Sequence, residues 1–124
     1  MRYVNIVLAL LMVLFALVQL NDPDAALWFF IYLVPGILAA IAAFRLNLLA
    51  TSGGTTVLAV LALASFAGVV YYWPKTPGFW HQEVWWETET AREGMGIMIV
   101  AVVMIVVFYT VWSARRRKIV PDQA

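Results

Sequence analysis

Six of the seven carboxylates in this 124-residue chain, and its single histidine, fall in two short stretches. The first is Gln19-Leu20-Asn21-Asp22-Pro23-Asp24. Its oxygen atoms could ligate a hard cation such as Ca²⁺ or Mg²⁺, although the usual calcium-loop spacing is missing. The same residues suit a helix start: Asn21 or Asp22 as cap, Pro23 in the first turn, and Asp24 at the positive end of the dipole. The second stretch runs from residue 74 to 93 and contains Trp80-His81-Gln82-Glu83-Val84-Trp85-Trp86-Glu87-Thr88-Glu89. Glu83 with Glu87, and Glu89 with Glu93, are spaced to share a helical face, where like charges repel unless a cation or Arg92 lies between them. His81, Glu83 and Glu87 are therefore candidate loop ligands. A zinc site built from them has no recognised spacing. Haem held by two histidines is impossible within one such chain. The plainer reading makes His81 a hydrogen-bonding anchor and the Trp-rich segment an interfacial half-helix, its rings in the headgroups and its carboxylates in water. Thr90 and Glu93 also match a capping box for the helix that follows.

The elements that must hold these stretches are four apolar runs: about 3–20, 25–44, 55–73 and 94–112. Each has roughly the 20 residues an α-helix needs to cross the hydrocarbon core. Alternating segments of about ten residues, as in a transmembrane barrel, are not present. Arg2 gives the first run a small basic front, but the run is long for a signal peptide and no small-x-small cleavage site follows it, so it reads as a retained helix. Thr51-Ser52-Gly53-Gly54 reads as a flexible turn, and Pro74 and Pro77-Gly78 stop the third run. Arg2, Arg45 and the cluster Arg115-Arg116-Arg117-Lys118 fall on one side of the membrane, with only Lys75 and Arg92 on the other. Trp28, Phe29, Tyr71, Tyr72 and Trp73 then mark the outer water boundary, and Tyr3, Tyr109 and Trp112 the inner one. Small residues four apart, Gly36 with Ala40, Ala39 with Ala43, and Ala64 with Gly68, allow close helix contacts.

Composition agrees. The apolar fraction is 65%, charged residues are 12%, and the mean hydropathy is +0.89. A soluble domain holds about 45–50% apolar and about 25% charged residues, so the bilayer must be the solvent here. With no cysteine, disulfides, thiolate zinc sites, iron–sulfur clusters and thiol catalysis are excluded. The short basic tail sits where a membrane stop would, which argues against nucleic-acid binding. The expectation is one all-α domain, an integral membrane four-helix bundle with both termini cytoplasmic. It carries a Trp/Glu-rich extracytoplasmic loop and a basic tail over residues 115–124. A bacterial inner membrane suits it, since no organelle-targeting segment is recognisable.

Val18-Gln19-Leu20-Asn21-Asp22-Pro23-Asp24-Ala25-Ala26-Leu27-Trp28, continuing through Tyr32 and Pro35, resembles the transmembrane protein 220 family. Glu89-Thr90-Ala91-Arg92-Glu93, followed by Gly96, is similar to a second, weaker motif of that family. The likeness covers the first two helices and the start of the fourth. It implies a small multispanning membrane protein and brings no established biochemical activity with it. It points to Asn21, Asp22, Asp24, Trp28 and Tyr32 from one hairpin and Glu89, Arg92 and Glu93 from the other. With Gln19, these form the candidate outer polar site, where Arg92 is expected to neutralise nearby carboxylates in a partly dry setting.

Three functions remain open on the sequence. A non-catalytic accessory or interaction protein, with a membrane-protein partner or a second copy at its outer lid, needs only the bundle and that lid. A binding protein or carrier for a metal cation or cationic amphiphile would use carboxylates flanked by Trp faces. Against a carrier, no span holds an ionisable residue through its central turns, where coupled transporters keep one. A membrane-embedded enzyme acting on a lipid headgroup would need a nucleophile and base, and none can be read here. No cofactor is expected, a divalent cation aside.

Overall fold

The computed structural model describes residues 2–21, 25–73, 75, 77, 78, 80–87 and 89–123; the side chains of 21, 25, 85–87, 89, 90 and 118–123 fall outside that description. The chain runs α1 (Arg2–Val18), a 3-10 turn (Gln19–Asn21), α2 (Ala25–Phe44), α3 (Leu46–Leu49), α4 (Ser52–Tyr71), α5 (Gln82–Glu87) and α6 (Glu89–Gln123). Among the described residues there is no strand.

Three segments are long and apolar enough to cross a bilayer: Ala26–Phe44, Ser52–Tyr71 and Ala91–Arg117. Helix α1, with 17 residues, reaches roughly 25 Å at about 1.5 Å per residue. That is a little short of the hydrocarbon core of about 30 Å. Helix α6, with 35 residues, reaches roughly 52 Å on the same basis and continues through the basic cluster.

Helix α6 organises the molecule. One stripe of it, Ile97, Val100, Val103, Met104, Val107 and Val111, is buried, at the three- and four-residue spacing of a single helical face. Helix α4 lies along α6, α1 lies along α2, and α2 also packs on α6. Small residues make these approaches close. A side chain added at Gly36 would come within 2.9 Å of Met12 Cβ on α1, and one at Gly68 within 3.0 Å of Ile97 on α6. Two bare backbones can then meet at distances that lipid chains cannot match.

Polar groups pin one end. Asn5, fully buried on α1, donates from Nδ2 to Thr110 Oγ1 on α6 at 3.0 Å, and that hydroxyl donates to the Val106 carbonyl at 2.8 Å. Arg115 Nη1 donates to Thr55 Oγ1 on α4 at 2.8 Å. The Arg2 guanidinium lies 5.5 Å from the centre of the Phe44 ring. The start of α1, the end of α2, the start of α4 and the later turns of α6 therefore meet at a common basic end.

Two local features differ from the sequence expectation. Residues 51–54 are a built helix start: Thr51 caps α4 by accepting from Gly54 N at 2.9 Å, and a Cβ at Gly54 would collide with the Leu49 backbone. Helix α6 begins at Glu89, which puts Thr90 inside its first turn instead of at the cap. The proposed caps Asn21 and Asp22 lie outside the described side chains.

Candidate functional site

The opposite end is aromatic. Trp28 and Tyr32, one turn apart on α2, are 4% and 6% exposed. Trp28 meets Tyr72 edge-on at 5.4 Å between centroids and lies 6.0 Å from Tyr32. The Tyr32 ring in turn meets Phe15 of α1 edge-on at 5.7 Å. Trp28, one turn into α2, is thus buried among other rings, where a wide indole packs well: Tyr32 on α2 and Tyr72 at the end of α4.

Gly96 makes room for this arrangement. A Cβ there would overlap Tyr32 Oη and stand only 3.0 Å from Cζ. The phenol tip is therefore seated against the bare backbone of α6, one turn below Arg92. Glu93 is half-buried beside it and within electrostatic reach of Tyr32. Gly96 was visible in the sequence as part of a motif, but its partner was not. A glycine in a Val- and Ile-rich helix marks a close approach without saying what approaches.

Next to this contact is a cavity of about 340 Å³ lined by Phe15, Val18, Gln19, Tyr32, Arg92, Met95, Gly96 and Ile99. Three candidate residues from the two hairpins, Gln19, Tyr32 and Arg92, share its walls. Its polar lining sits at the ends of the helices, with Gln19 just past α1 and Arg92 in the first turn of α6. Its apolar lining lies further in: Phe15 is one turn below Gln19, and Ile99 about two turns, roughly 10 Å, below Arg92. Sequence reasoning missed Phe15, Met95 and Ile99, because residues of that kind occur throughout all the spans.

The remaining candidates divide in two. His81 and Glu83 are exposed, and His81 lies against Trp80 at 5.4 Å between centroids. Neither lines the cavity. The side chains of Asn21, Asp22, Asp24, Glu87 and Glu89, and with them the expected pairing of Arg92 with those acids, lie outside the described residues. Among the described residues, no group of three or more His, Asp or Glu side chains is placed to hold a metal ion.

A second and larger cavity, about 580 Å³, opens on the flank between α2 and α4 with α6 as its floor. Leu27, Phe30, Pro35, Leu61, Ile97 and Met104 are among its walls, and among the described residues no charged one lines it. Its one hydroxyl, on Ser65, already donates to the Leu61 carbonyl at 2.8 Å.

Membrane-length apolar helices that bury their few polar groups against one another define an all-helical integral membrane protein. Residues 11–109 match transmembrane family 220, helix. That is most of the chain, which belongs to this family. No curated protein and no solved structure gives a match.

Proposed function

We propose that this is a non-catalytic accessory protein of a bacterial inner membrane that presents its aromatic end to a membrane-protein partner. In this reading α1 also spans the bilayer, giving a four-helix bundle with both termini in the cytoplasm and residues 71–93 outside. The placement of basic residues supports that orientation, since Arg2, Arg45 and Arg115 to Arg117 all belong to the basic end. No divalent ion or other cofactor is required.

The observation that carries the reading is the exposure of large aromatic side chains at the end of α4 and beyond it. Tyr71, Trp73 and Trp80 are 82%, 54% and 62% exposed, next to exposed His81 and Glu83. Trp and Tyr dominate protein interfaces because one rigid ring buries much area at small entropic cost, with a polar atom left for a hydrogen bond. The cation and headgroup-enzyme alternatives would call for His81 and the acids to converge. Of the described members of that set, His81 and Glu83 stand on the surface, while Glu93 is half-buried beside Tyr32.

The test is purification in a mild detergent of the wild-type chain and of a Trp73→Ala, Trp80→Ala variant. A stoichiometric partner that is retained by the first and lost by the second is expected. A solitary monomer from both would overturn the proposal. Orientation is read separately. The chain has no cysteine, so single Glu83→Cys and Arg116→Cys variants can be labelled cleanly in intact cells. An impermeant thiol reagent should reach the first and not the second.

A further inference from the structure

We propose that the cavity at the aromatic end is a binding site for an anionic phospholipid, with its phosphate at Arg92 and Gln19 and one acyl chain along Phe15, Val18, Met95 and Ile99. This goes beyond the accessory role and stands whether or not a protein partner exists.

Three features carry the inference. The first is polarity that changes with depth. The cavity has a guanidinium and an amide where the helices end, and only apolar side chains over the next two turns of α6. A phospholipid changes character over the same interval, from phosphate to acyl chain. A free anion would leave the apolar shaft unused, and a neutral chain would leave the guanidinium unused. The large flank cavity is the internal contrast, since it has apolar walls and, among the described residues, no charged one.

The second feature is charge. Among the described residues, Arg92 is the only charged one lining the cavity. It sits in the first turn of a 35-residue helix, where the helix dipole also favours an anion. Arg92 and Glu93 each have interactions of their own. A guanidinium has five N–H donors in a fork that matches phosphate oxygens, so it can serve a protein neighbour and a ligand together. Gln19 adds a neutral donor from the other hairpin.

The third is rigidity and size. At about 340 Å³ the cavity falls within the roughly 300–1,000 Å³ of pre-formed ligand sites. Its inner wall is the Tyr32–Gly96 contact, which is held by Phe15 and Trp28 and costs no reorganisation when a chain enters. Lipid is also the most concentrated amphiphile at this depth.

The test uses the full chain purified in a neutral detergent and titrated with phosphatidylglycerol, phosphatidylcholine, inorganic phosphate and dodecyltrimethylammonium. Binding is read by native mass spectrometry and by the rise in melting temperature. Phosphatidylglycerol should bind at one per chain, at least fivefold more tightly than phosphatidylcholine. Arg92→Gln should remove that preference. Ile99→Trp, which fills the shaft from a partly exposed position, should weaken both lipids. Leu27→Trp, in the flank cavity, should change neither. The proposal is overturned if the two lipids bind equally, or if the preference survives in Arg92→Gln. It is also overturned if phosphate alone competes as well as the lipid, or if Leu27→Trp acts like Ile99→Trp. A preference for the quaternary amine would likewise overturn it and favour a cation site. Arg92→Gln alters an exposed side chain, so it remains informative even if Ile99→Trp does not fold.

Discussion

Replacing Gly96 by Ala adds one carbon at the most crowded point of the aromatic end. That carbon overlaps Tyr32 Oη and lies 3.0 Å from Cζ and 3.6 Å from Cε1. The ring is 6% exposed and is bracketed by Phe15 and Trp28, so the phenol can yield only toward the cavity it lines. Overpacking of this kind costs about 1–3 kcal/mol. Alanine returns about 0.5–1 kcal/mol through its better helix propensity. The net destabilisation should therefore be on the order of 1 kcal/mol. A double-mutant cycle with Tyr32→Phe isolates the steric part. Without the hydroxyl the worst overlap disappears and only the 3.0 Å contact with Cζ remains, while the helix-propensity term cancels. A coupling of about 1 kcal/mol is expected. The assay is reversible unfolding in mixed micelles, followed through tryptophan fluorescence. The reasoning is refuted if Gly96→Ala is as stable as wild type and its coupling to Tyr32→Phe lies within about 0.3 kcal/mol of zero.

The same unfolding assay checks the other contacts. Asn5→Ala and Thr110→Val should each destabilise, with a coupling of about 0.6–2 kcal/mol, the range for hydrogen bonds between membrane helices; additive effects would mean the 3.0 Å bond contributes nothing. Arg115→Gln and Thr55→Val should couple by about 0.5–1.5 kcal/mol, the range for a hydrogen bond in a partly buried pair. Additive effects would mean that the 2.8 Å contact contributes nothing. Gly36→Val should loosen α1 from α2, because its branched carbon would press on Met12. The midpoint of unfolding should fall relative to the parent, and an unchanged midpoint would contradict the packing.

Much of the membrane architecture was legible in the chain. Runs of nearly unbroken apolar residues have no stable home in water at this size, and the polar breaks between them had to hold the acids and the histidine. Orientation of each helix was not legible. In a soluble protein, polar residues mark the outer face, whereas lipid is as apolar as a core and removes that mark. On α6, buried Val103, Val107 and Val111 alternate with exposed Val102, Ile105 and Tyr109, and no rule of composition separates the two sets. The small-residue pairs announced close contact but left the partners open. In the fold, Gly36 of α2 faces α1 and Gly68 of α4 faces α6.

The candidate site divides along the same line. The sequence by itself determined an integral membrane helical protein and gathered Gln19 and Arg92 as candidates, because polar residues at helix ends are conspicuous in such a chain; Tyr32 joined them through the family resemblance. Only the tertiary structure decided that Tyr32 is seated on Gly96 and that Phe15, Met95 and Ile99 complete a cavity with the polar pair at its mouth. Those contacts join α1, α2 and α6 across more than sixty positions of chain. Their selection rests on shape complementarity between apolar surfaces, which neither hydropathy nor charge encodes.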